Sequence, residues 1–94
     1  MAKLAKFSLG QLVSTPGCLE AFVVNGVSPM DYIARHASRD WGEGIDADDA
    51  RENELSIIQG FRILSSYRLP DNTKIWIITE ADRSATTCLL PEEY

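Results

Sequence analysis

Histidine and cysteine, the side chains most often found in metal sites and nucleophilic sites, are scarce in this sequence. It contains one histidine, His36, and two cysteines, Cys18 and Cys88, which lie far apart. They form neither a CxxC pair nor the two-histidine helix motif of zinc enzymes. We expect two free thiols buried as small apolar side chains, no disulfide, no bound metal and no cofactor.

Long apolar runs and phosphate-binding glycine loops are also missing. No window approaches the roughly 18 apolar residues that a membrane-spanning helix needs. Residues 1–7 contain two lysines but lack the apolar stretch and small-residue cleavage site of a secretory signal. Gly42 and Gly44 are not followed by the lysine and hydroxyl side chain of a nucleotide-binding loop. We expect a cytoplasmic protein without membrane contact, in which residues 1–7 are loosely ordered.

Basic side chains are outnumbered by acidic ones. The 9 lysine and arginine residues oppose 14 aspartate and glutamate residues, so the formal net charge is -5 at pH 7. Proteins that hold a nucleic-acid backbone do so mainly through clustered lysine and arginine. The charge therefore argues against direct nucleic-acid binding and favours a protein partner with a basic surface.

The composition that remains is that of an ordinary globular domain. The 94 residues are 45% hydrophobic and 24% charged, and a chain of this length accommodates one hydrophobic core. We therefore treat residues 1–94 as a single domain. Local patterns predict a short strand at residues 10–14, followed by three helices and then by three strands.

The helices are predicted from their caps and from their apolar spacing. A Thr-Pro pair begins the first helix, at residues 16–24, and an Asn-Gly pair ends it. A Ser-Pro pair begins the second helix, and Asp46 caps a third that ends near Gly60. The predicted core face of the second helix comprises Met30, Ile33, Ala34 and Ala37. The predicted apolar side of the third comprises Ala47, Ala50, Ile57 and Ile58, with Glu54 at its edge.

The C-terminal half changes to the two-residue period of β-strands. Apolar residues alternate over residues 61–69, and residues 74–79 (KIWIIT) and 85–90 (ATTCLL) supply two further strands. The predicted fold is α+β, with a short N-terminal strand, about three helices and a three-stranded antiparallel meander on which helices pack. Trp76 is predicted to lie in the core. An exposed edge of so short a sheet is compatible with a homodimer.

His36 and Asp40 form the first candidate site. Their spacing allows Asp40 to orient the imidazole ring for acid-base chemistry, which only this histidine could perform. The alternative is a partly exposed histidine at a helix end, held by a neighbouring carboxylate. Both interpretations remain open from the sequence.

A second candidate site follows the most apolar strand. Glu80, Asp82, Arg83 and Ser84 place two acids, a guanidinium and a hydroxyl together, and Arg62 could meet Glu80 across the sheet. Such a cluster can bind a ligand or contribute to catalysis with His36 and Asp40. It can equally be a self-contained turn in which Asp82 and Ser84 bind backbone amides and Arg83 pairs with an acid.

The third helix and the residue Trp41 before it form a candidate partner-binding surface. Trp41 either anchors the glycine-rich loop on the core or stands exposed as a binding hot spot. The carboxylates of the helix could occupy a basic groove that otherwise receives phosphates. They are Asp46, Asp48, Asp49, Glu52 and Glu54.

Four segments of the chain carry a resemblance to a known family. They are TPGCLEAF (residues 15–22), RHASRDWGEG (35–44), NELSIIQGFRILSSY (53–67) and KIWIITEADRSATTCLLPEEY (74–94). This pattern resembles that of small bacterial proteins labelled plasmid-related, which occur on plasmids, phages and integrated elements. The resemblance covers nearly all of the chain from Thr15 onward, and Arg39 stands where that family has a glycine before DWG.

The resemblance implies an accessory protein of a mobile genetic element. Together with the charge and the size, it favours a non-enzymatic protein that binds a host protein, as an acidic inhibitor or modulator of a nucleic-acid-handling defence system. The alternative is a small enzyme or small-ligand-binding domain with a polar site around His36, Asp40, Arg62, Glu80 and Arg83.

Overall fold

The computed structural model describes residues 7–94, which contain four strands and three α-helices in the predicted order. The predicted loose order of residues 1–6 lies outside the described residues. In chain order the elements are β1 (Gln11–Ser14), α1 (Pro16–Asn25), α2 (Pro29–Ala37), α3 (Ala47–Gln59), β2 (Ile63–Arg68), β3 (Lys74–Thr79), β4 (Ala85–Leu89) and a final 3-10 turn (Pro91–Glu93).

The helices begin and end where their local sequence predicts. The side chains of Thr15, Ser28 and Asp46 each accept a hydrogen bond from a backbone amide in the first turn of the helix that follows. These side chains satisfy amides that have no partner within the helix. Gly26 and Gly60 end α1 and α3 in the left-handed conformation, with φ of 65° and 80°.

The four strands form a mixed sheet in the order β1-β4-β3-β2. The predicted antiparallel meander is confirmed for β2, β3 and β4. The sheet as a whole is mixed rather than antiparallel as predicted, because β1 joins the meander as a fourth strand and runs parallel to β4. Three helices separate β1 from the meander, so no turn sequence reports its partner or its direction.

One face of the sheet forms the hydrophobic core. Alternate residues of β2, β3 and β4 point to this face, and α1 and α2 cover it with Cys18, Phe22 and Ile33. The side chains of Tyr67, Ile75 and Ile77 on this face are fully buried. The core cluster comprises Cys18, Phe22, Ile33, Tyr67, Leu69, Ile75, Ile77 and Cys88.

The predicted core face of α2 is only partly correct. Ile33 is buried, but Met30 is 54% exposed, Ala34 is exposed and His36 is completely buried. The helix is therefore rotated so that the imidazole, rather than Met30, faces the sheet. Polar side chains on the sheet offset the desolvation of the ring, because they bond both of its nitrogens.

The predicted apolar side of α3 is wrong for its outer residues. Ile58 is 81% exposed, whereas Asn53 and Ser56 are buried at 5% and 6% exposure. Asn53 donates to the carbonyl of Leu64 and accepts from its amide, at 2.7 and 3.1 Å. The helix thus lies against the hydrogen-bonding edge of β2, where an amide side chain finds partners that an apolar one does not.

The loop before α3 closes the rest of this edge. The carbonyl of Trp41 accepts from the amide of Ser66 at 2.9 Å, and the amide of Gly44 donates to the carbonyl of Ser66 at 3.1 Å. Gly42 approaches β2 so closely, at φ 94°, that a Cβ atom would overlap the carbonyl oxygen of Ser66. A glycine is required there.

Trp76 lies on the other face of the sheet and is half-buried, which corrects its predicted place in the core. Its ring meets that of Tyr94 edge to face, with the centroids 5.7 Å apart. Arg62 donates to the Tyr94 hydroxyl at 2.7 Å and lies over the same ring. The C-terminal residue therefore covers part of this second face.

Candidate functional site

His36 is the centre of a buried polar network between α2 and the sheet. Its Nδ1 lies 2.5 Å from the Ser65 hydroxyl on β2, and its Nε2 lies 2.8 Å from the Thr79 hydroxyl on β3. The Thr79 hydroxyl lies 2.7 Å from that of Thr86 on β4. Thr86 in turn donates to the carbonyl of Leu9 at 2.7 Å.

The carbonyl of Leu9 sets the direction of every hydrogen bond in this buried network. A carbonyl can only accept, so the Thr86 hydroxyl donates to it, and the Thr79 hydroxyl must then donate to Thr86. The Thr79 oxygen is left to accept from Nε2–H of His36. Nδ1 consequently carries no proton and accepts from the Ser65 hydroxyl. The network therefore assigns the neutral Nε2–H tautomer to the ring.

Burial also determines the charge of His36. The pKa of the imidazole is lowered from 6.5 to about 4 by desolvation. The Ser65–His36 pair has the residue types of a nucleophile and its base, but both side chains are completely buried. The pair therefore offers no route for a proton to reach solvent or substrate, and the arrangement is that of a core hydrogen-bond network.

The prediction that Asp40 orients the His36 ring is wrong, as is the alternative of a partly exposed ring. Asp40 instead accepts from Arg35 Nε at 2.7 Å, and this bond, more than any other contact, holds the pKa of the carboxyl below its usual value. The Arg35 guanidinium stacks over Tyr67, 4.5 Å from the ring centroid. Tyr67 donates its hydroxyl to the backbone carbonyl of Asp40 at 2.6 Å.

This surface cluster positions the loop that follows α2. Arg35 also pairs with Glu43 at 3.4 Å, and the Glu43 carboxylate accepts from the amide of Arg68 at 3.0 Å. Arg35 and Glu43 were not singled out by the sequence, although two basic residues beside a loop with two acids signal such pairing. The cluster ties α2, the loop and β2 together.

The predicted ligand cluster after β3 is a self-contained turn. Asp82 accepts from the amide of Ser84 at 3.0 Å, and hydrogen bonding to Ser84 lowers the pKa of the Asp82 carboxyl. The backbone of Glu80 pairs with that of Ala85 at 3.0 Å. The turn is therefore stabilised by the bond from the backbone amide of Ser84 to the side-chain carboxylate of Asp82.

Arg83 joins this turn to the end of α3. It has a φ of 60°, and its guanidinium donates to the backbone carbonyls of Ser56, Phe61 and Glu80 at 2.8, 2.7 and 3.1 Å. The expected contact between Arg62 and Glu80 is wrong, since Arg62 bonds Tyr94. Arg83 thus bonds backbone carbonyls rather than an acid, and the guanidinium donors so bonded are not available to a ligand.

The candidate enzyme residues are therefore near one another without forming a shared site. The Phe7 ring lies between His36, at 5.6 Å between centroids, and the Arg83 guanidinium, at 5.9 Å. Asp40 and Arg62 point to other partners. The side chains of His36, Asp40, Arg62 and Arg83 are each bonded within the protein, so these four supply stability rather than a free acid, base or ligand donor.

Trp41 anchors the loop on the core. It is 6% exposed, packs on the His36 ring, and donates Nε1–H to the Glu54 carboxylate at 3.2 Å. Glu54 also pairs with Arg39 at 2.7 Å. Trp41 must be removed from the predicted partner-binding surface because it is buried, whereas the Glu54 side chain is 41% exposed and its carboxylate is engaged by Trp41 and Arg39.

Arg39 has a φ of 70°, which glycine adopts at lower cost than any other residue. This is the position at which the resembled family has a glycine. The pairing of Arg39 with Glu54 offsets part of the backbone strain.

The remaining predicted carboxylates lie exposed on the N-terminal half of α3. Asp46 is the N-cap and accepts from the amide of Asp49 at 2.8 Å, while Asp48 pairs with Arg51 at 2.5 Å. Among residues 7–94, the carboxylates of Asp49 and Glu52 have no such partner. These carboxylates lie near the positive end of the helix dipole, which stabilises them.

The C-terminal half of α3 exposes apolar side chains. Leu55 is 44% exposed, Ile58 is 81% exposed, and Phe61 just beyond the helix is 58% exposed. Leu55 lies one helical turn from Glu52, on the same side of the helix. A shallow groove of about 360 Å³ runs along this side. It is lined by Arg39, Arg51, Glu54, Leu55, Ile57 and Ile58. We call Asp48, Glu52, Leu55 and Ile58 the outer face of α3, because Asp49 lies on the side of Asn53 and Ser56.

The cysteines and the acidic residues do not form a metal site in residues 7–94. No group of three or more histidine, cysteine, aspartate or glutamate side chains in this range is placed to hold a metal ion. Cys18 and Cys88 are free thiols buried in the core. Burial raises their pKa values to about 11 and about 12, so both stay protonated at neutral pH. Within the same range, every helix is too short or too polar to cross a membrane.

Comparison of the chain with protein-family models, with curated proteins and with solved structures finds no match. The resemblance to plasmid-related proteins therefore stays an expectation from the sequence motifs. What the protein does must be argued from its own surfaces, and the outer face of α3 combines charge with exposed apolar groups.

Proposed function

We propose that this chain is a non-enzymatic protein-binding module whose outer face of α3 docks on a basic surface of a partner protein. One observation carries the proposal. The helix is attached to the rest of the domain through the polar residues Asn53 and Ser56, while Leu55 and Ile58 face solvent. This is the reverse of the usual amphipathic arrangement, in which apolar residues attach the helix.

The exposed apolar residues supply the affinity of such an interface. Fully burying a leucine or isoleucine side chain contributes about 1.5–3 kcal/mol relative to leaving it in water. Leu55 and Ile58 flank a groove that an apolar side chain of the partner could enter. Interfaces of this kind have an apolar centre and a polar rim.

The carboxylates supply the choice of partner. Asp48 and Glu52 lie on the rim beside the apolar residues, Arg39 and Arg51 line the groove itself, and the whole chain carries a net charge of -5. The net negative charge of the chain favours basic proteins over nucleic acid as partners. Because the rim charges are exposed, their contribution falls as salt is added.

The resemblance to proteins of mobile elements suggests the class of partner. A basic groove that holds a phosphate backbone would accept a helix with carboxylates along one side. The proposed partner is therefore a host protein that handles nucleic acid, and the proposed effect is competition with that nucleic acid. This role needs no reaction, and it agrees with the occupied state of His36, Asp40 and Arg83.

The test compares two triple variants as bait in a bacterial lysate treated with nuclease. The face variant carries Asp48→Asn, Glu52→Gln and Ile58→Ser. The control variant carries Asp31→Asn, Glu92→Gln and Val23→Ser, which remove the same number of charges and an exposed apolar residue elsewhere. Val23 is 74% exposed, close to the 81% of Ile58. Bound proteins are quantified at low and high salt.

We expect the wild type and the control variant to capture the same basic protein at low salt, and the face variant to lose it. Once it has been purified separately and loaded with nucleic acid, the captured protein should release that nucleic acid when the purified chain is added. Equal capture by the wild type and the face variant would contradict the proposed face. Failure of the wild type to retain any basic protein would contradict the proposed function.

A further inference from the structure

The two edge strands of the sheet differ in whether other residues bond their outward backbone groups. The β2 edge is bonded by Asn53, by the loop before α3 and by Glu43. In β1, the backbone groups of alternate residues bond β4, and the backbone amides and carbonyls of Leu12 and Ser14 point away from β4. Within residues 7–94, no strand or loop pairs with this second edge. Proteins usually protect such an edge, because it is a template for another strand.

An apolar groove adjoins the open edge on the core side of the sheet. Its volume is about 210 Å³, below the roughly 300–1,000 Å³ of small-molecule pockets. It is lined by Leu12, Val13, Ser14, Pro29, Met30, Ile33 and Cys88. Leu12 and Met30 are 43% and 54% exposed beside it. The groove suits an inserted apolar side chain better than a separate ligand.

The charge distribution favours a second copy of this chain at the open edge. β1 (QLVS) has no charged side chain, so pairing of this strand with itself brings no like charges together within the strands. The carboxylates of α3 lie beyond β2, at the other end of the strand order. Pairing through β1 therefore places the two acidic helices far apart.

We infer that two copies pair through their β1 strands, antiparallel and about a two-fold axis at Val13. In this register Leu12 of each copy lies opposite Ser14 of the other, and their outward amides and carbonyls form four hydrogen bonds. Leu12 points to the core side and enters the groove of the other copy. The two Val13 side chains meet on the opposite face.

The dimer has one continuous sheet of eight strands and leaves both outer faces of α3 free. A contact of four residues per copy falls at the small end of protein interfaces, so the association is reversible and depends on concentration. The inference does not rest on the proposed function, because the two surfaces share no residue.

The register is tested by cross-linking the full chain through a cysteine at its centre. Two residues that face each other at a non-hydrogen-bonded position have Cα atoms about 4.5 Å apart, within the roughly 4.4–6.8 Å of disulfides. Val13→Cys should therefore form a disulfide-linked dimer on mild oxidation. Val23→Cys is the control, since Val23 is 74% exposed outside β1. The native cysteines are buried and should not contribute.

The energetic role of the edge is tested by sedimentation over a range of protein concentrations. The wild type should dimerise, and Leu12→Lys, which brings an ammonium into the apolar groove, should raise the dimer Kd about tenfold or more. Ile58→Lys should leave the dimer Kd unchanged, because Ile58 lies on the outer face of α3 and not at the β1 edge. The inference is overturned by a wild type that stays monomeric, by equal dimerisation of Leu12→Lys, or by equal cross-linking of the two cysteine variants.

Discussion

At the scale of single residues, His36 shows how a polar ring is accommodated in a small core. Both of its nitrogens are bonded by hydroxyls of the sheet, and the carbonyl of Leu9 ends the chain of donors. A buried ring without these partners would destabilise the fold. The signal that sequence reasoning overlooked is Ser65, which stands between Ile63 and Tyr67 on the apolar side of β2.

The pKa of His36 predicts how stability depends on pH. The imidazole has a pKa of 6.5 in the unfolded chain and about 4 in the folded protein. Between these values only the unfolded chain binds the proton, so the free energy of unfolding falls as the pH drops from about 6.5 towards 4. The expected loss is about 3 kcal/mol. Above the unfolded value the contribution is fully present.

This loss is measured by urea unfolding at several pH values in wild type and in His36→Gln. The glutamine keeps a donor and an acceptor but does not titrate, so subtracting its profile removes the contribution of the carboxylates. Equal pH profiles in the two proteins would show that His36 does not carry the effect.

At the scale of elements, α3 is held by hydrogen bonds to a strand edge rather than by apolar packing. Asn53 is the centre of this attachment, since it bonds both backbone groups of Leu64. Arg83 adds two bonds, to the carbonyls of Ser56 and Phe61 at the end of the helix. The helix therefore remains in place although its apolar residues face solvent.

Asn53→Ala should destabilise the protein by about 2–4 kcal/mol, because it leaves the part-buried amide and carbonyl of Leu64 without partners. The amide of Leu64 should also lose its protection from hydrogen exchange. Glu52→Ala is the neighbouring control, exposed on the outer face, and should change stability by less than about 0.5 kcal/mol. Retained protection of Leu64 in Asn53→Ala would contradict the role given to this side chain.

At the scale of the whole molecule, α1 and the sheet share one core that contains both cysteines. Cys18 belongs to α1 and Cys88 to β4, and they are 0% and 1% exposed. A reagent can reach either thiol only when helix and sheet separate. Both thiols should therefore report on global unfolding rather than on local motion.

Thiol labelling of the native protein should be slow, and the two cysteines should react with the same apparent free energy of opening. That value should equal the free energy of unfolding obtained with denaturant. The Val23→Cys variant supplies the fast reference, because its added thiol is exposed. Rapid labelling of Cys18 alone would show instead that α1 opens by itself.

Several features of the fold were determined by the sequence alone. The starts of the three helices, their glycine ends and the alternation of β2 depend on contacts within a few residues, such as Asp46 with the amide of Asp49. Local contacts of this kind form wherever the segment lies, so the sequence predicts them directly. The meander follows from short turns for the same reason.

Only the tertiary structure decided the features that depend on distant partners. The pairing of β1 with β4, the side of α3 that faces β2 and the partners of His36 each join residues that are far apart in the chain. Periodicity identifies an apolar side but cannot report that a strand edge or a pair of hydroxyls will bind the polar side instead. That is why Asn53 and His36 are buried while Ile58 and Met30 face water.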